Sequence, residues 1–104
     1  MPLSSFPSGI DGFQAALSMS EEDAGVVARG FLQFTEKMAS ESKGGPQEFF
    51  FDWQLRCMRM LLAGFSHRDM LLFLAIGMEA DTPTECVERQ MGFIKAKMAA
   101  LGDS

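Results

Sequence analysis

The sequence predicts an all-α protein, a small bundle of four to five helices with irregular or orthogonal packing. Three observations carry that expectation. Apolar residues recur at spacings of three and four rather than in alternation. Ser20, Ser66 and Thr82 each precede such a stretch and have an acid three residues on, the mark of a capped helix start. Glycine and proline gather between the stretches. A chain of 104 residues is expected to form one domain, 1–104. With 47% hydrophobic and 22% charged residues it has the composition of a folded protein, not of a disordered one.

Residues 1–8 hold two Pro and three Ser and read as a flexible tail, with Phe6 able to tuck onto the body. "GIDGFQAAL", 9–17, gives one or two helical turns, weakened by two glycines. The next helix is expected from 20 to about 41. Ser20 caps it, and Glu21, Glu22 and Asp23 fill the first turn, where the helix dipole favours acids. Val27, Phe31, Phe34 and Met38 form its expected core face. "SKGGPQ" then ends it.

The third helix, 46–64, carries two apolar faces. Phe50, Trp53, Cys57, Met60 and Leu61 share one, and Phe51, Leu55, Met58 and Leu62 the other. Asp52, Arg56 and Arg59 form the polar strip between them, with Asp52 and Arg56 spaced for an i, i+4 ion pair. A helix this apolar is central in a bundle or sits at an interface. The run "MLLFLAIGM", 70–78, is apolar on all sides, and Ser66 with Asp69 marks its start. The expectation is that the 46–64 and 70–78 helices form the middle, with 20–41 and 82–101 outside. In the last helix Thr82 caps, Pro83 opens the first turn, and Glu85 is the reciprocal acid. Val87, Met91, Ile94, Met98 and Leu101 repeat at heptad spacing, the seam of a helix aligned with a neighbour.

Composition narrows the function. A net charge of −5 and a pI near 4.7 argue against phosphate-backbone binding, which needs clustered Lys and Arg. Cys57 and Cys86 are not in a C-x-x-C pair, and with a single histidine the chain falls short of a four-ligand zinc site. No metal or cofactor is expected, and both thiols read as reduced core residues. The N-terminus lacks the basic and long apolar regions of a signal peptide, and the longest apolar run is far short of a span of about 20 residues. A cytoplasmic location is the expectation.

Three functional readings follow. The leading one is a non-catalytic module, an acidic helical adaptor or inhibitor of the kind mobile elements encode. It would bind a protein partner, either a larger assembly, with a basic nucleic-acid-binding face as the candidate target, or a second copy of itself. Ten Phe, nine Met and one Trp are a great deal for one small body to enclose. "FFF", 49–51, sweeps about 200° of helix at 3.6 residues per turn, so one ring is expected to point outward. The expected contact residues are Phe50, Phe51 and Trp53, flanked by Arg56 and Arg59, with Glu79, Asp81, Glu85 and Glu88 to meet a basic face. The second reading starts from "GFSHRDMLLFLAIG" and "TPTECVERQM". Residues 64–91 resemble a helix-turn-helix, which implies a DNA-binding regulator using Arg89, Lys95 and Lys97. The connection "MEADT" is longer than the usual turn, and Glu85 and Glu88 would oppose phosphates. The third reading is a thiol enzyme using Cys57 or Cys86 with His67 and Asp69. It lacks a nucleophile elbow or any accompanying signature.

Overall fold

The computed structural model describes residues 9–102. The expected tail, with Phe6, lies outside the described residues. Five helices follow one another: α1 (Gly9–Ser18), α2 (Glu21–Glu41), α3 (Glu48–Gly64), α4 (His67–Met78) and α5 (Pro83–Gly102). The described residues form an all-α bundle without strands.

Local chemistry sets the helix ends where the caps stand. The Ser20 and Ser66 hydroxyls accept from the backbone N–H groups of Asp23 and Asp69, each at 3.1 Å. Thr82 Oγ1 accepts from Glu85 N at 3.1 Å. Each bond satisfies one donor that has no partner inside its helix. Pro46 falls in the loop, and α3 starts two residues after it. The loop turns at Gly44, whose φ of +78° is the left-handed conformation that a side chain disfavours.

The order of packing differs from the expectation in one respect. The hub is α4 alone, in contact with α1, α2, α3 and α5. Met70, Leu71, Phe73 and Ala75 are fully buried, consistent with an apolar run that has no polar side. By contrast, α3 packs against α2 and α4 but leaves Phe49, Arg56 and Arg59 exposed. Its polar strip is wide enough to keep one flank in water, so it is not enclosed as α4 is. Trp53 lies against Phe73 with ring centroids 5.9 Å apart and helps fasten α3 to the hub.

The core faces of α2 and α5 are rotated from the expected ones. In α2 the buried stripe is Ala24, Val27, Ala28, Thr35 and Ala39, with Phe31 packed beside it, while Phe34 stays 53% exposed. Small residues let α2 approach α4 closely, and the larger rings are displaced to the flank. In α5 the expected seam is not the buried face. Gln90 is 1% exposed, whereas Met91 and Met98 are 42% and 49% exposed. The reason lies in α4. A Cβ at Gly77 would come within 2.8 Å of Cys86 Sγ and still closer to the Gln90 amide. The missing side chain is a notch that Cys86 and Gln90 fill, and filling it fixes the rotation of α5.

Ion pairs and caps tie distant segments together. Arg68 donates from Nε to Ala16 O at 3.1 Å and from Nη2 to Met19 O at 2.7 Å, capping α1 from α4. The Glu21 carboxylate accepts from the backbone N–H groups of His67 and Arg68, each at 3.2 Å, so the first turn of α2 caps α4. Lys97 Nζ lies 2.6 Å from Asp69 Oδ1 and between the rings of Phe65 and Phe93, which holds the far part of α5 to the start of α4.

Candidate functional site

The first turns of α3 dictate a surface feature. Three consecutive phenylalanines cannot all face one neighbour. Phe49 is 84% exposed, while Phe50 and Phe51 are half-buried and meet edge to face at 5.3 Å. Phe50 and Phe51 straddle Gln54, the buried centre of this face. Across from them stand Phe31 and Phe34 of α2, Met78 at the end of α4, and Pro83. Together they enclose an apolar depression of about 380 Å³. A second one, of about 410 Å³, adjoins it at Phe50 and Pro83 and is lined by Phe49, Trp53, Val87 and Glu88. The two form one apolar tract across the α3 start, the α4–α5 turn and the α5 start.

The floor of the first depression is polar and closed. Gln54 and Gln90 pair their amides reciprocally. Gln54 Nε2 donates to Gln90 Oε1 at 2.5 Å, and Gln90 Nε2 donates to Gln54 Oε1 at 3.0 Å. Gln90 Nε2 also donates to Phe73 O at 3.3 Å, and the Cys86 thiol donates to Gln90 Oε1 at 3.5 Å. Among the described residues no buried side-chain nitrogen or oxygen lacks a partner. The floor therefore demands no ligand, and the tract offers chiefly ring faces and thioether.

The structure gathers some of the sequence-predicted contact residues and separates others. Phe50, Phe51 and Asp81 line the first depression, and Trp53 and Glu88 the second. Arg56 and Arg59 do not flank them. They line a separate shallow dip with Asp52 and Leu55, because positions 56 and 59 lie on the side of α3 opposite Gln54. Arg59 pairs with Glu36 of α2 at 3.0 Å. The expected Asp52–Arg56 ion pair does not form; the salt bridges among the described residues lie elsewhere. Of the four acids, Glu79 and Glu85 both meet Arg89, at 3.4 and 2.7 Å, which joins the end of α4 to the start of α5. Asp81 and Glu88 remain exposed, with no ion pair among the described residues.

The same pairings bear on the other two readings. Arg89 is held by two carboxylates and Lys97 by Asp69, so of the three cations a DNA contact would use, only Lys95 has no such carboxylate partner among the described residues. The thiols are half-buried and are not joined in a disulfide. Burial pushes the Cys57 thiol up, with the Arg56 charge pulling the other way. Burial likewise raises Cys86, opposed by the hydrogen bond from Gln54. His67 Nδ1 lies 3.2 Å from Glu21, and Asp69 holds Lys97; neither is joined to a thiol. Among the described residues no cluster of His, Cys, Asp and Glu could hold a metal ion, and no helix is long and apolar enough to cross a membrane.

Phe34, Phe49, Gln54, Gly77, Met78 and Gln90 belong to the tract and were not on the expected list. Two signals pointed to three of them. Gln54 and Gln90 are amides set among apolar neighbours, and Gly77 interrupts an apolar run. No protein-family model, no curated protein and no solved structure matches the chain.

Proposed function

We propose that this protein is a non-catalytic binding module that docks a segment of a larger protein into the apolar tract at Phe50. The observation that supports it most is the exposure of Phe34 and Phe49, 53% and 84%, which line the two adjoining depressions that share Phe50. Rings held in place by a folded scaffold make good anchors, since little side-chain freedom is lost when a partner covers them. Charge selects the occupant. Asp81 lines the first depression and forms no salt bridge among the described residues, and the whole chain carries −5. The fitting segment therefore has an aromatic or aliphatic side chain flanked by Lys or Arg, as on a basic nucleic-acid-binding face. Covering that face would make the protein an inhibitor or adaptor of the assembly that bears it.

Selection of random displayed peptides on the immobilised protein tests this reading. Peptides with an apolar residue between basic ones are expected to be enriched, and Phe34→Asp with Phe49→Asp to abolish their binding. Equal enrichment on that double variant, or enrichment of acid-flanked peptides, would overturn it.

A further inference from the structure

The rotation of α5 leaves a second feature, which shares Val87 and Glu88 with the edge of the tract and runs away from it along α5. Val87, Met91, Ile94 and Met98 keep strict heptad spacing, yet the chain's own core takes the neighbouring face through Cys86, Gln90 and Phe93. Val87 and Ile94 are half-buried at the edge of that contact, and Met91 and Met98 stand in water. Heptad spacing fits a second helix running along the seam, because a 3.5-residue repeat keeps one stripe facing a neighbour when the two helices coil gently around each other, and over two heptads the drift is small. Beside the stripe, on one flank, lie Glu88 and Lys95, seven residues apart and opposite in charge. Both are exposed and neither forms a salt bridge among the described residues.

We propose that α5 pairs antiparallel with α5 of a second copy of this chain. Met91 and Met98 of one copy then pack against Ile94 and Val87 of the other, and the two-fold axis passes near the middle of the four-residue seam. The flanking charges decide both occupant and direction. In an antiparallel pair, residues that follow Val87 and Ile94 on one helix lie beside their counterparts on the other. Glu88 then meets the partner subunit's Lys95, and symmetry repeats the contact. A parallel pair would set Lys95 against Gln90 and leave Glu88 without a basic neighbour on α5. The seam is short for a free coiled coil, but α5 is already folded onto α4, so association need not order the helix. The −5 charge on each copy opposes the approach over long range, and at physiological salt a Debye length of about 8 Å screens that term while contact pairs persist.

Sedimentation equilibrium of the full chain at 0.15 M salt, over a wide concentration range, tests the pairing. The wild type is expected to be a concentration-dependent dimer. Met91→Glu with Met98→Glu is expected to leave a monomer whose helicity matches the wild type and whose unfolding midpoint matches that of the wild type diluted to its monomeric range. Glu88→Lys and Lys95→Glu are each expected to weaken the dimer about tenfold, since each places like charges opposite one another twice. The double exchange is expected to restore it to within about threefold. A wild type that stays monomeric throughout overturns the proposal. So does a dimer indifferent to the methionine changes, or one in which the double exchange fails to rescue.

Discussion

The Gln54–Gln90 pair is the sharpest test of how the site is held together. Replacing Gln90 with Leu removes both amide partners of Gln54 and leaves it a sulfur contact at 3.9 Å. Gln54 is only 5% exposed, so water cannot fully replace what is lost. An abandoned buried amide costs about 1–3 kcal/mol, and the expected loss for Gln90→Leu is about 2 kcal/mol. Replacing Gln54 instead leaves Gln90 its bond to Phe73 O at 3.3 Å and the Cys86 thiol at 3.5 Å. That change is expected to cost less, about 1 kcal/mol by the same reasoning. With both replaced, no side-chain amide is stranded and two apolar groups of similar size meet. The double variant is expected within about 0.5 kcal/mol of wild type, a coupling of roughly 3 kcal/mol. Urea unfolding measures it, with emission from the single tryptophan, Trp53 on Phe73, read beside far-ultraviolet circular dichroism. Single losses that simply add in the double variant would refute the idea that each amide is buried at the other's expense.

Three further outcomes follow from the same geometry. Gly77→Ala gains about 1 kcal/mol of helix propensity but drives a methyl into Cys86 and Gln90; overpacking and the broken amide pair outweigh the gain. A net loss of about 1–3 kcal/mol is expected by denaturant unfolding, and a neutral or stabilised variant would show that α5 can shift freely. At Glu21, desolvation raises the carboxyl, but hydrogen bonds from Arg68 N and from His67 outweigh it and hold the group below its ordinary value of 4.5. A depressed acid stabilises the fold above pH 4.5 and loses that contribution as pH falls through the folded value. Glu21→Gln should therefore lower stability at neutral pH by less than about 1 kcal/mol, since the site is half-exposed, and flatten the fall below pH 4.5; an unchanged pH profile would contradict the cap. Finally, iodoacetamide at pH 7 is expected to label Cys57 and Cys86 more slowly than a free thiol, because burial raises both. Rapid labelling of either would reopen the thiol-enzyme reading.

The tract was half visible in the sequence. Three adjacent rings at 49–51 require an outward phenylalanine whatever the fold, and Phe49 is that residue. Which rings would face it could not be deduced, because Phe34 comes from a helix whose small residues, Ala24, Ala28 and Ala39, took the core instead. Periodicity scores a large apolar residue above an alanine, whereas close helix approach favours the alanine. The arginine partners were equally hidden. Arg59 meets Glu36 across 23 positions and Arg68 reaches carbonyls about 50 positions away, beyond any spacing rule confined to one helix.

Taken alone, the sequence determined the helices and where they begin. The caps from Ser20, Ser66 and Thr82, the first-turn acids and the paired glycines act within four residues and so are legible in the sequence, whereas the caps from Glu21 onto α4 and from Arg68 onto α1 form only once those helices meet. Tertiary structure alone decided which face of each helix is inside. On α5 two faces compete, one with five apolar residues in heptads and one bearing Gln90. The amide won because the notch at Gly77 and the reciprocal bond to Gln54 are waiting on other helices.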